Sequence, residues 1–364
     1  MIYFLHVGQF GRSLWCRDTI VLPELTEGAE LKLHLISAFP VPSERSNEAG
    51  VEVVAKIVHA YRPFTMSPVL RVSISSLQAL AHIPDDAVLK LYDRRCLTNT
   101  RERRGEGHPW DLHKEREYRR YLAAVAEGST VPLDFEEPKS GRKLSDGEFE
   151  AYLRYIADKM FQTEGATYDR LLPLQGNDIP RCFASVEWEV RIPLEGDTAV
   201  TETVHGLLLE HIPGLSLRDL VRTWTRRQPA LPSSVLADLC DRAVAVIDHT
   251  SNFDVLNEDV RMDNFIVREP FFRSPPPADA HSAREHELID HPVILLDLAQ
   301  VRLRASYLTD AEWGLGKLHE DEEGAVGYIL LRLLKKFVGE GVWTYQPSDR
   351  WLEFEDDTVT SYRI

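Results

Sequence analysis

The sequence predicts an α+β protein in two parts, a small strand-rich half to about residue 210 and a helical half after it. Three observations carry this reading. Apolar residues alternate with period two between residues 29 and 92, and again at 181 to 192 and 203 to 211. After Pro213-Gly214 the apolar spacing becomes helical. At 364 residues the chain is long enough for two lobes, and 43% hydrophobic with 27% charged residues is ordinary for a soluble globular protein.

Glu30-Leu31-Lys32-Leu33-His34-Leu35-Ile36 opens the strand region, and residues 51 to 57, 69 to 74 and 86 to 93 continue it. Residues 1 to 50 are taken as an N-terminal extension ahead of a first lobe over 51 to 210. Residues 94 to 144 are polar and mixed, read as an insertion rather than core, with a possible helix over 110 to 126. Ser145-Asp146-Gly147-Glu148 matches a capping box and starts a helix whose apolar face is Phe149, Tyr152, Leu153, Ile156 and Met160. Glu164, Tyr168 and Leu171 continue one face of it, and Gly176 is the expected stop. Beyond the two returning strands, helices are expected over 216 to 224, 232 to 249 and 325 to 338 in a second lobe over 211 to 364. Residues 269 to 291, rich in Pro, His and Ala, read as a loop insertion.

The net charge of −16 argues against a general nucleic-acid binder, which needs a basic surface. No apolar stretch reaches membrane length, so no membrane partner is expected. The four scattered cysteines, Cys16, Cys96, Cys182 and Cys240, are expected to be reduced, which suits a cytoplasmic or nuclear location.

The most informative stretch is Asn257-Glu258-Asp259-Val260-Arg261-Met262-Asp263-Asn264, followed by the apolar Phe265-Ile266-Val267. A second apolar run, Val293-Ile294-Leu295-Leu296, ends in Asp297-Leu298-Ala299. Phosphoryl transfer needs one Asp to orient the acceptor hydroxyl, then an Asn and another Asp to hold magnesium. A tight loop would present Asp259 and turn Asn264 back, and two short strands would set Asn264 beside Asp297. Each motif alone also fits a solvated turn.

Together with Val88-Leu89-Lys90-Leu91-Tyr92 and Leu207-Leu208-Leu209-Glu210-His211-Ile212-Pro213-Gly214, these motifs stand in an order that resembles the protein-kinase-like superfamily. The likeness is to divergent fungal kinase-like proteins and, more distantly, to aminoglycoside and choline phosphotransferases, over roughly residues 50 to 340. It implies a two-lobed fold with a small sheet-rich first lobe and a truncated helical second lobe. It also implies ATP and Mg2+ as cofactors and a hydroxyl on a protein or small molecule as acceptor. Lys90 would hold the α- and β-phosphates. Glu164 would anchor Lys90, with Glu148, Glu150, Glu115 and Glu117 as competitors. The Glu210 carbonyl and Ile212 amide would bind the adenine edge, Asp259 would be the base, and Asn264 and Asp297 would bind the metal.

The chain departs from that pattern in several places. Asn257 and Glu258 replace the usual His and Arg, and Asp297-Leu298-Ala299 replaces Asp-Phe-Gly. No G-x-G-x-x-G lies between the early strands; the candidate turn, residues 61 to 68, has two prolines and no glycine. Ala311-Glu312-Trp313 is only a faint echo of Ala-Pro-Glu. These departures keep a second reading open, an inactive pseudokinase that binds nucleotide or a partner. A P-loop is excluded by the absence of G-x-x-x-x-G-K-[ST], and Gly214-Leu215-Ser216-Leu217-Arg218 lacks the last glycine of a nucleophile elbow. His281, His286 and His291 recur every five residues, a spacing that suits neither a helix face nor a metal-binding turn.

Overall fold

The computed structural model describes residues 22–38, 50–75, 83–103, 109–135, 143–194, 199–226, 232–269 and 291–355. Its first part is a closed antiparallel barrel in the order β1-β2-β3-β4-β6-β5. The strands are β1 (Glu30–Ala38), β2 (Glu52–Ala60), β3 (Val69–Ser75), β4 (Asp86–Leu91), β5 (Cys182–Pro193) and β6 (Ala199–Glu210). Alternation turns Leu31, Leu33, Val53, Ala55, Leu70 and Leu89 inward, all buried, so side chains fill the barrel. β1 closes it by pairing with both β2 and β5, for example Leu31 with Ala55 and Leu33 with Trp188. The boundary expected at residue 51 is therefore misplaced, because a strand inside the supposed extension completes the barrel. Residues 1–21 of that extension lie outside the described residues.

Between β4 and β5 come α1 (Thr98–Arg103), α2 (Leu112–Ala126) and the long α3 (Asp146–Arg170). Ser145 caps α3 through a capping box with Glu148. The helix ends at Leu171, ahead of a 3-10 turn, whereas the sequence placed the stop at Gly176. Pro173, which cannot donate an amide, supplies the earlier break. The stretch read as an insertion contributes to the packed interior, since Arg94, Leu97, Arg101, Glu115 and Tyr118 are buried. α2 lies directly against α3: a Cβ on Gly147 would sit 2.4 Å from the Glu117 carbonyl oxygen.

What holds this layer is a buried charge network that binary patterning cannot show. Arg94 donates to Glu150, Glu202 and Glu115, and Arg101 donates to Glu150. Arg119 bridges Glu115 and Glu202, and Arg154 bridges Asp158 and the Thr203 carbonyl. Each of these four guanidinium groups therefore meets a carboxylate, the condition under which buried charges are tolerated. The apolar pattern of residues 94 to 144 looked like surface because its interior contacts are ionic.

The second part follows β6 through β7 (Gly214–Ser216), α4 (Leu217–Thr223), α5 (Ser233–Ser251), β8 (Val255–Asn257) and β9 (Phe265–Arg268). β10 (Val293–Leu295), β11 (Val301–Leu303), α6 (Asp310–Glu320) and α7 (Glu322–Phe337) complete it. β10, β9 and β7 form one small sheet, and β11 pairs with β8. Leu153 and Met160 of α3 join Leu220, Leu239, Ile247 and Leu330 in one core, so α3 packs with the helical part although it precedes β5 in sequence. Ala311-Glu312-Trp313 lies in the first turn of α6, where Glu312 completes a capping box with Thr309. The C-terminal stretch returns across these helices: Tyr345 packs over Gly327, where any Cβ would meet its ring at 2.4 Å, and Arg350 binds Asp248.

Candidate active site

The site begins with a lysine on a strand. In β4 the inward side chains are Ala87, Leu89 and Leu91, so Lys90 points out of the barrel. There α3 covers it. Lys90 Nζ donates to Glu164 Oε2 at 2.6 Å and to Asp297 Oδ1 at 2.7 Å. The competing glutamates are engaged elsewhere: Glu148 in the capping box, Glu117 with Arg120, and Glu115 and Glu150 in the arginine network.

Electrostatics follow from one cation facing two carboxylates. Burial disfavours the charged Lys90, but Asp297 and Glu164 more than offset it and raise its pKa. Glu164 is fully buried, and desolvation together with the Asp297 charge raises its pKa despite Lys90. Asp297 is desolvated too, yet Lys90 and the Ala299 amide hold it below the usual carboxylate range. Tyr92 donates its hydroxyl to the same Glu164 oxygen at 2.5 Å, and the Leu298 amide donates to the other at 3.3 Å. Glu164 thus ties α3 to β4 and to the chain just after Asp297.

Asp297 itself has a left-handed φ of 59°. A non-glycine residue adopts that conformation at a cost, and such strain gathers at functional sites. The turn aims its carboxylate at Lys90 while about a third of the side chain (32%) stays open to solvent.

Asp259 lies in the loop between β8 and β9. Its amide donates to Asn257 Oδ1 at 2.8 Å, and its carbonyl accepts from Asn264 Nδ2 at 3.2 Å. Using the amide nitrogen this way keeps the Asn264 side-chain oxygen as the acceptor end. Arg261 and Gln300 both donate to the Asp259 carboxylate. β9 and β10 pair Phe265 with Leu295, and the Leu296 amide donates to the Asn264 carbonyl at 2.7 Å. That register brings Asn264 and Asp297 to one end of the sheet. The loop is anchored from below, where fully buried Lys317 donates to Ser251, the Val255 carbonyl and Glu322, and Glu322 accepts the Asn257 amide.

Glu210 and Ile212 sit apart from this cluster. Lys90 is paired with Leu207, so Glu210 lies three residues along β6, about 10 Å away. The Glu210 carboxylate is occupied by the Arg181 amide and by Arg268, and half-buried Ile212 lies in the link to β7. Sequence reasoning missed Arg261, Gln300, Tyr92 and the Lys317–Glu322 anchor. A cation two residues past Asp259 was the readable sign of Arg261. The anchor's hold on the loop carries no local sign, because Lys317 and Glu322 lie 62 to 66 residues beyond the Ser251–Asn257 segment that they bind.

No family model matches the chain, and no curated protein matches it. Solved structures do resemble it. One is a double mutant of the PknI kinase domain of Mycobacterium tuberculosis, at 14% identity over 78% of this chain and 74% of that one, with a TM-score of 0.32. Another is WaaP in complex with acyl carrier protein, at 12% identity over 78% of this chain and 79% of that one, with a TM-score of 0.34. Both likenesses are distant.

Proposed function

We propose that this chain is a protein-kinase-like phosphotransferase, dependent on ATP and Mg2+, that moves the γ-phosphoryl group to a hydroxyl on a protein or small molecule. The observation that carries the reading is the buried Lys90 held between Glu164 and Asp297, with Asp259 and Asn264 on the adjoining loop. Asp297 and Asn264 offer hard oxygen donors of the kind magnesium takes, and the partly open Asp297 leaves room for one. Bound Mg2+ and ATP would supply the transferable phosphoryl group and neutralise its charge. Lys90 is held in place by two carboxylates, and its ammonium would bring positive charge to the phosphate oxygens. Arg261 has to leave the Asp259 carboxylate before that group can accept a hydroxyl proton, and the phosphoryl oxygens are its natural next partner. The Glu210 carbonyl and Ile212 amide would take the adenine edge.

One observation favours the second reading, a pseudokinase. The turn over residues 61 to 68, which would lie over the phosphates, is fastened down instead. Phe64 is buried, and the carbonyls of Phe64 and Thr65 accept from Thr98 Oγ1 and the Asn99 amide, each at 3.0 Å. Carbonyls and prolines offer phosphate few donors.

A thermal-shift titration with Mg-ATP separates the readings. Ligand at about 100 times its Kd stabilises by about 2.7 kcal/mol, so wild type should shift while Lys90→Met and Asp297→Asn should not. A flat wild-type response at millimolar Mg-ATP would refute the nucleotide site. Where binding is present, ATP consumption lost in Asp259→Ala with binding retained establishes an enzyme. Binding with no turnover in wild type across protein and small-molecule acceptors leaves the pseudokinase.

A further inference from the structure

Gln300 stands three residues after Asp297, and its side-chain Nε2 donates to Asp259 Oδ2 at 3.3 Å. An ionised carboxylate only accepts, so the amide presents its nitrogen there. Arg261 donates to the same oxygen. Both donors therefore steer the carboxylate through Oδ2 without covering Oδ1. They differ in kind. Arg261 is a cation whose side chain is 46% exposed, whereas Gln300 is neutral and half-buried. The Gln300 carbonyl accepts the Glu258 amide at 3.0 Å, and the next residue, Val301, pairs with Asn257. Its backbone is thus fastened to the two residues that precede Asp259. The same short segment reaches the rest of the site. Asp297 accepts from Lys90 at 2.7 Å, and the Leu298 amide donates to Glu164 at 3.3 Å. Residues 297 to 300 thereby connect the lysine to the candidate base.

We propose that Gln300 is a positioning residue for phosphoryl transfer, the donor that keeps Asp259 aimed at the acceptor hydroxyl after Arg261 has moved to the phosphoryl oxygens. This rests on the phosphotransferase reading and adds to it the residue that holds the base. In the transfer the hydroxyl proton passes to Asp259 while the hydroxyl oxygen bonds the γ-phosphorus and the P–O bond to ADP breaks. A cation left on the carboxylate would hold its charge too tightly for it to take a proton, whereas a neutral amide orients it with a weaker bond. Without either donor the carboxylate is free to turn about its last torsion, which has a broad twofold well. A small misplacement of a reacting group lowers the rate steeply.

Steady-state turnover of γ-labelled Mg-ATP by the full chain tests this, with water, a library of Ser- and Thr-containing peptides and a set of small alcohols as acceptors. Gln300→Met has a similar length and no donor. It should lower kcat roughly ten- to a hundredfold while KM for ATP and the melting temperature keep their wild-type values. Gln300→Glu sets a second carboxylate against Asp259 and should be slower still. A merely structural role would instead lower the melting temperature and move KM together with kcat. The losses should not add: Asp259→Ala/Gln300→Met should be no slower than Asp259→Ala, because nothing is left to position. Additive losses, or wild-type kcat in Gln300→Met, would overturn the role of Gln300 and leave the phosphotransferase reading standing. Absence of turnover in wild type on all of these acceptors would remove both.

Discussion

Replacing Lys90 by Met is the sharpest probe of the site's electrostatics. The change keeps an unbranched stem of similar length and removes the one cation that two carboxylates share. Glu164 is fully buried, so the variant strands a carboxylate away from water and leaves Asp297 beside it. Removing one partner of a buried pair typically costs about 3–5 kcal/mol. Unfolding entropy of about 2.1 cal/mol/K per residue, taken over 364 residues, converts this to a fall of about 4–7 °C in Tm. The loss should depend on pH in a definite direction. The Glu164 pKa is already raised in the folded state, and losing Lys90 raises it further. A raised carboxylate pKa favours the folded state at low pH and penalises it as pH climbs through the folded value. Calorimetric melts should therefore show a smaller deficit at pH 5 than at pH 8. The double variant Lys90→Met/Glu164→Gln should recover much of the loss, because the fully buried carboxylate is gone and only the partly exposed Asp297 is left without Lys90. A Lys90→Met melt within 1 °C of wild type at both pH values, to take about 1 °C as the resolution of the assay, would refute the reasoning.

Two further outcomes follow from packing. Gly147→Val forces a side chain into the Glu117 carbonyl and should push α2 off α3. Overpacking of this kind costs about 1–3 kcal/mol, read as a lower urea midpoint, while Gly165→Ala on the same helix, with open space at its Cβ, should be neutral or stabilising. Glu322→Leu removes the acceptor of the Asn257 amide and leaves the buried Lys317 charge without its carboxylate, held only by Ser251 and the Val255 carbonyl. It should lower Tm by an amount similar to Lys90→Met and weaken turnover more than Mg-ATP binding, since it loosens the Asp259 loop and leaves Lys90 in place; equal losses in both would argue that Glu322 serves the fold alone.

Much of this molecule was legible in the sequence wherever the signal was local. The strands of the barrel announced themselves by alternation, because a sheet with one buried face imposes period two on its own residues. The capping box at Ser145 fixed the start of α3 to the residue. The spacing within Asn257–Asn264 encoded a loop that closes on itself, as its internal hydrogen bonds show. Sequence misjudged the role of residues 94 to 135, because buried arginines and glutamates carry the same letters as a solvated surface. Composition cannot tell a paired interior charge from an exposed one. Only tertiary structure decided which of five glutamates faces Lys90, because a choice made across 74 residues depends on how α3 lies over the barrel. The same holds for β1 closing the barrel, for Lys317 beneath the Asp259 loop, and for His249 and His291 meeting at Asp178. Local chemistry specifies an element from within, whereas a partner far along the chain is selected only when packing brings the two together.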